Sequence, residues 1–159
     1  FYERENYLYF LQRMKYYRAK FSINILAYCL MPNHFHLFVQ QTTDEFSISI
    51  FLSSLLNSYV KAVNQKYKRS GTLFESKTKS KQIVDEAYFK WVIKYILENP
   101  VNAGLAERIS DWEFSNAMDL LTMRNGTISD INNVASFFQS KEGMIEFLTD
   151  KTVKTSYEF

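Results

Sequence analysis

The two histidines of the chain, His34 and His36, are separated by a single residue. Two histidines placed at random would take this spacing with a probability of roughly one in eighty. In an extended strand, residues i and i+2 point to the same side. A strand beginning near His34 therefore presents both imidazoles together while Phe35 and Leu37 face a core, which supplies half of a metal site. The alternative is that both histidines are half-exposed polar residues on the wet face of a sheet.

Tyr95 and Asn99 lie near the end of a second informative segment, whose apolar residues recur at helical spacing. The pattern predicts a helix from about Glu86 to Glu98, ended by Pro100 because the residue before a proline disfavours helical geometry. Residues four apart share one face of a helix if its last turn holds. The alternatives are a tyrosine packed in the core and an asparagine that only ends the helix.

These residue types suit phosphate chemistry assisted by a divalent cation. Two imidazoles and an amide oxygen leave positions open on a six-coordinate ion such as Mg²⁺ or Mn²⁺. A structural zinc prefers four protein ligands, and the sequence offers neither a third histidine nor a second cysteine. A tyrosine beside such a cation is a candidate nucleophile. Its attack on phosphorus would give an ester that retains the energy of the broken linkage, so a strand could be cut and rejoined without ATP.

Positive charge is concentrated in residues 61–81, which carry seven cations against Glu75 alone, whereas the rest of the chain has a net charge of −4. Such a concentration is typical of a surface that binds a polyanion. The alternative is a solvated helix end and loop with ordinary lysines. The candidate DNA-binding residues are Lys61, Lys66, Lys68, Arg69, Lys77, Lys79 and Lys81.

The remaining patterns describe the elements that must position these groups. A hairpin is predicted from two strands joined at Met31-Pro32-Asn33, with long amphipathic helices before and after it. Residues 72–84 alternate like a polar edge strand or an extended segment. The predicted elements are a helix at Glu3–Lys20, strands at Phe21–Leu30 and His34–Gln40, a helix at Asp44–Lys68, a docked segment at Asp111–Ser115, and short helices at Ile131–Phe138 and Glu142–Leu148.

Composition excludes several classes of protein. The chain has 159 residues, 47% of them hydrophobic, which is enough for one domain with a sizeable core and excludes global disorder. The sequence contains no signal-peptide pattern and no membrane-spanning run, so we expect a soluble intracellular protein with no membrane partner. The single cysteine, Cys29, agrees with a reducing compartment and is expected to be buried. The first residue is Phe1, so an initiating segment is expected to be missing.

Two motifs together resemble one protein family. The first is Tyr-Cys-Leu-Met-Pro-Asn-His-Phe-His-Leu at residues 28–37, and the second is Tyr-Ile-Leu-Glu-Asn-Pro-Val-Asn-Ala-Gly-Leu at residues 95–105. With Gly71–Glu75 and Asp111–Ser115, they resemble the single-tyrosine HUH transposases of the IS200-like type, especially the REP-associated tyrosine transposases. The resemblance runs from about Tyr2 to Ser115 in the same order.

The resemblance implies an α+β fold, with a ferredoxin-like antiparallel sheet and helices packed on one face. Residues 1–115 would form the catalytic domain, with the first strand missing before Phe1, and residues 116–159 a C-terminal helical extension. His34, His36 and Asn99 would bind a divalent metal, Mg²⁺ or Mn²⁺, and Tyr95 would be the nucleophile. The implied substrate is single-stranded DNA with hairpins, cut through a 5′-phosphotyrosine intermediate in the cytoplasm, in association with the nucleoid.

Other functions stay open at this stage. One alternative is a catalytically retired transposase kept as a hairpin-DNA-binding module or regulator. Another is a phosphodiesterase that acts on small nucleotides. The sequence also leaves a monomer and a homodimer open, and with them a tyrosine that serves its own histidines or those of a partner.

Overall fold

The structure is a computed structural model that describes residues 1–75 and 78–152, except the side chains of Glu86 and Ala87. Among these residues, its contacts define two compact units, one within residues 1–24 and 40–82, the other within residues 25–39 and 83–152. The predicted α+β class with an antiparallel sheet is confirmed. The elements are α1 (Arg4–Lys20), β1 (Ile23–Leu30), β2 (Phe35–Gln41), α2 (Ile48–Lys66), α3 (Glu86–Asn102), a 3-10 turn (Ile109–Asp111), α4 (Ala117–Leu120), α5 (Ile131–Ser136) and α6 (Lys141–Thr149).

The first unit is built on α1 and α2, which pack against each other in opposite directions. Lys66 at the end of α2 forms an ion pair with Glu3 at the start of α1. At the other end, Phe21 and Phe46 meet edge to face with ring centroids 5.3 Å apart. Burial of large apolar side chains, each contributing about 1.5–3 kcal/mol, holds the pair together. Those side chains are Tyr7, Phe10, Met14, Phe51, Leu55, Tyr59 and Val63.

The start of α2 differs from the prediction. The helix begins at Ile48 and not at Asp44, because the Ser47 hydroxyl accepts a hydrogen bond from the Ile50 backbone N–H at 3.3 Å and so caps the first turn. Thr42 continues the strand pairing instead, since its N–H donates to the Ser22 carbonyl at 3.2 Å.

The predicted hairpin is confirmed. β1 and β2 form a two-stranded sheet, and the Met31 N–H donates to the His34 carbonyl at 2.9 Å to close the turn at residues 32–33. The predicted segment at Asp111–Ser115 lies along β1: the Leu30 N–H donates to the Phe114 carbonyl at 2.9 Å. The hairpin therefore fixes the first candidate motif at the start of β2.

Helix α3 extends past the predicted stop. Pro100 lies inside the helix, which continues to Asn102. In the last turn, a proline removes a single backbone hydrogen bond, and the following N–H groups still find acceptors: Ala103 donates to the Asn99 carbonyl at 3.0 Å and Leu105 to the Pro100 carbonyl at 2.8 Å. Asn99 therefore keeps a helical position one turn after Tyr95.

The second unit has its own core, to which the C-terminal helices contribute. The two predicted short helices are confirmed as α5 and α6. Their apolar residues join those of β1, α3 and α4 in one cluster, so side chains from before and after residue 115 pack together. The domain boundary after residue 115 stays a prediction. The cluster includes Leu26, Ala27, Cys29, Ile93, Leu97, Leu120, Val134, Met144 and Leu148. Cys29 is fully buried, as expected.

The segment between α2 and α3 forms no strand in residues 72–75 and 78–84, so the edge-strand alternative is wrong for those residues. Within the two ranges that the structure describes, no helix has the length and apolar character needed to cross a membrane.

Candidate metal and nucleophile site

The two histidines lie side by side at the entrance to β2. His34 directly precedes the strand and His36 is its second residue. Their ring centroids are 4.9 Å apart and their planes almost perpendicular, as extended geometry allows for residues i and i+2. His34 is exposed and His36 is half-buried. One imidazole therefore faces solvent while its neighbour faces the interior of the second unit.

Helix α3 brings Tyr95 and Asn99 to His36. The rings of His36 and Tyr95 are 5.8 Å apart between centroids, in an edge-to-face arrangement. The Asn99 side-chain nitrogen donates to the Tyr95 backbone carbonyl at 2.8 Å. This bond uses one of the two N–H groups of the amide and fixes its orientation, and the amide oxygen is the atom of Asn99 that can bind a cation. The three side chains thus meet within one unit, although about sixty residues separate them along the chain.

The environment keeps both imidazoles neutral at neutral pH. Burial, and then the neighbouring His34, lowers the pKa of His36 to about 4, against a smaller rise caused by a side-chain hydrogen bond with Asn99. A rise is expected when an amide oxygen accepts from a protonated ring. Burial also lowers the pKa of His34. A neutral imidazole has a free lone pair, which is the form that binds metals.

The residues present fit a divalent cation. The Nε2 atom of His36 is buried and has no hydrogen-bond partner of normal geometry among the described residues, although a buried ring nitrogen normally has one. The Nδ1 atom of His34 contacts the Asn33 side chain, which leaves its Nε2 as the second donor. With the Asn99 oxygen, the donors are two nitrogens and one oxygen, a set that suits Mn²⁺ and Mg²⁺.

A closed structural metal site does not fit the same region. Among the residues that the structure describes, no group of three or more histidine, cysteine, aspartate or glutamate side chains could hold a metal ion. Cys29 is buried in the core, and burial raises the pKa of its thiol to about 12, so it is not a thiolate ligand. A cation bound by the histidines would thus keep positions open for a substrate.

The candidate DNA-binding residues that the structure describes belong to the first unit, and their surroundings differ. Lys66 is paired with Glu3, and Arg69 donates to the Tyr2 hydroxyl and to the Thr72 carbonyl, both at 3.1 Å. The exposed candidates are Lys61, Lys66, Lys68, Lys79 and Lys81, and Lys77 lies outside the described residues.

Sequence reasoning missed a buried lysine beside the candidate nucleophile. Lys94 is only 1% exposed. Its ammonium donates to the carbonyls of Phe147, at 3.0 Å, and Asp150, and lies 3.8 Å from the Glu98 carboxylate. It therefore ties the end of α6 to the helix that carries Tyr95. A charged residue within the apolar run Trp91–Leu97 is the sequence signal that could have revealed it.

Comparison with known proteins identifies several similarities. The family model described as "Transposase IS200 like" matches residues 3–99. A putative REP-associated tyrosine transposase of Haemophilus influenzae is 25% identical over 105 residues, which cover 60% of this chain and 59% of that protein. The solved structure of a REP-associated tyrosine transposase bound to a REP hairpin superposes with a TM-score of 0.65 at 16% identity, covering 80% of this chain and 78% of that one. This structural likeness shows the fold.

Proposed function

The chain belongs to the IS200-like transposase family, and we propose that it is a metal-dependent endonuclease and strand transferase for single-stranded DNA that carries hairpins. The observation that carries this proposal is the meeting of His36, Tyr95 and Asn99 in one unit, with the two rings 5.8 Å apart. The phenol and the amide meet a half-buried imidazole whose Nε2 has no hydrogen-bond partner of normal geometry among the described residues, which supports a role in binding a cation.

His34, His36 and Asn99 are the residues that would hold the metal, Mg²⁺ or Mn²⁺. When bound, such a cation supplies Lewis-acid chemistry by drawing charge from a phosphate oxygen. The protein contributes by keeping both imidazoles neutral at neutral pH and by fixing the Asn99 amide through its bond to the Tyr95 carbonyl. These features hold the donors in place before substrate arrives, which lowers the cost of organising the site.

Tyr95 performs the covalent step in this proposal. Its phenol oxygen forms a bond to phosphorus as the bond from phosphorus to the 3′-oxygen breaks. The phenol proton passes to water, and the departing 3′-oxygen takes up a proton, so the products are a 5′-phosphotyrosine ester and a free 3′-hydroxyl. A 3′-hydroxyl can attack the same ester in reverse, which rejoins a strand and restores the phenol. No ATP is consumed.

Hairpin DNA is the proposed partner because the similar solved transposase is bound to a REP hairpin. The exposed cations of the first unit, with Lys61 on α2 as an example, suit contacts to phosphates. Action in the cytoplasm on nucleoid DNA belongs to the same proposal. The proposal is compatible with a monomer and with a homodimer.

A labelled hairpin oligonucleotide incubated with the protein, with and without Mn²⁺, tests the proposal. The wild type is expected to form a denaturant-resistant adduct only with the cation, and Tyr95→Phe to form none while retaining DNA binding. Tyr88→Phe is the matched control: it makes the same chemical change on α3 two turns earlier, about 10 Å away, and is expected to keep the adduct.

The result also separates the alternative functions. DNA binding without cleavage in Mg²⁺ and in Mn²⁺ would contradict the enzyme and favour a retired binding module. Turnover of a short dinucleotide without an adduct would favour a phosphodiesterase. An adduct that survives in Tyr95→Phe would overturn the assignment of the nucleophile.

A further inference from the structure

The hairpin turn places the side chains of Asn33 and His34 in contact. The Nδ1 atom of His34 lies 2.7 Å from the side-chain oxygen of Asn33. Both side chains are exposed, and the turn that carries them is closed by the hydrogen bond from the Met31 N–H to the His34 carbonyl. The two side chains are therefore held together by a short, internally bonded turn.

The chemistry of the pair determines the position of the proton. An amide oxygen only accepts hydrogen bonds, so the ring nitrogen that faces it must be the donor. A neutral imidazole, the form that binds a cation, carries one proton. With the proton on Nδ1, the lone pair that can bind a cation is on Nε2.

We propose that Asn33 is a positioning residue that holds His34 in the Nδ1–H tautomer, so that the ring offers Nε2 to the divalent cation. This inference rests on the proposed metal-dependent function and extends it to a residue outside the ligand set. The second imidazole supports this inference. In His36, the buried ring nitrogen that has no hydrogen-bond partner of normal geometry among the described residues is also Nε2. Both imidazoles then present Nε2 to the same cation.

Loss of such a partner has a defined cost. Residues that orient a metal-binding histidine typically change metal affinity by about 10–100-fold when removed. Asn33→Ala is therefore expected to weaken Mn²⁺ binding by about 10–100-fold. Asn33→Asp keeps an oxygen acceptor at the same position, so its affinity is expected to stay within a few-fold of the wild type.

The tautomer is measured first, on the metal-free protein. Histidine labelled with ¹⁵N is observed by long-range ¹H–¹⁵N NMR at pH 7.5 with chelator, and His34→Gln assigns the two rings. The wild type and Asn33→Asp are expected to show protonated Nδ1 at His34, whereas Asn33→Ala shows a mixture of tautomers. Asn132→Ala, an exposed amide on α5, is the matched control and is expected to match the wild type.

Binding of Mn²⁺ is then followed by the EPR signal of the free ion, and unchanged thermal melting confirms that each variant is folded. A wild-type His34 protonated on Nε2, or an Asn33→Ala protein with unchanged tautomer and affinity, would overturn the role of Asn33 and leave the proposed function standing. A wild type with the expected tautomer that binds no Mn²⁺ would contradict the metal-dependent function and, with it, the role of Asn33 toward a cation.

Discussion

The buried imidazole of His36 makes the stability of the metal-free protein depend on pH. Its pKa is lowered from 6.5 to about 4, mainly by burial. A histidine with a lowered pKa contributes stability that is fully present above pH 6.5 and is lost as the pH falls toward 4, because the unfolded chain then binds the proton that the folded chain resists. We therefore expect acid to destabilise the wild type more than a His36→Leu variant.

The magnitude follows from the two pKa values. A fall from 6.5 to about 4 corresponds to an upper limit of about 3–4 kcal/mol. Because His36 is only half-buried, solvent screens part of this effect, and about 2 kcal/mol is a realistic expectation. That is a substantial share of the total stability of a small protein, which is typically about 5–15 kcal/mol.

Urea unfolding at pH 7.5 and pH 4.5, both with chelator, measures the effect. Between the two pH values, the wild type should lose about 2 kcal/mol more than His36→Leu. Other groups titrate in this range in both proteins, so the difference between them isolates His36. His34→Leu is the matched control: the ring at this position is exposed, and its removal should leave most of the pH dependence in place. Equal losses in the wild type and His36→Leu would refute the reasoning that burial keeps this imidazole neutral.

Two further predictions concern charged residues on helices. Lys94→Met should lower the free energy of unfolding by about 3 kcal/mol, because it removes the buried cation that ties α6 to α3. The control is Lys90→Met, which should cost under about 1 kcal/mol, because the Lys90 ammonium lies 5.5 Å from the centre of an aromatic ring. Equal costs in denaturant titrations would count against the anchoring role of Lys94. Lys61→Ala should reduce the slope of log K against log salt concentration for single-stranded DNA binding by about 0.7. Lys66→Ala should reduce this slope by less, because Lys66 is paired with Glu3. The reverse order in fluorescence titrations would place the DNA elsewhere.

Local patterns in the sequence predicted most of the elements. The hairpin and the short helices α5 and α6 appear where apolar spacing and turn residues indicated them. The errors lie at the ends of helices, where a single contact decides at which residue the helix begins or ends. Ser47 caps α2 later than expected, and the last turn of α3 tolerates Pro100 because the next N–H groups find other acceptors.

Residue patterns alone indicated the members of the candidate site, whereas only the family resemblance implied that they meet. Spacing showed that His34 and His36 could share one side of a strand, and that Tyr95 and Asn99 could share a helix face if the last turn held. Neither pattern predicts that the strand contacts the helix, because that contact depends on packing between segments that are distant in the sequence. Asn33 was interpreted only as a turn residue, since a contact between neighbouring side chains leaves no periodic signal in a sequence.

The most direct test of the central claim is to identify the residue that becomes joined to DNA. The protein is incubated with a hairpin oligonucleotide and Mn²⁺, denatured and digested, and the peptide that carries the nucleotide is sequenced by mass spectrometry. We predict a phosphodiester bond between the Tyr95 phenol and a 5′-phosphate, absent when the cation is chelated. Attachment to any other residue, or cleaved DNA with no attached peptide, would contradict the account.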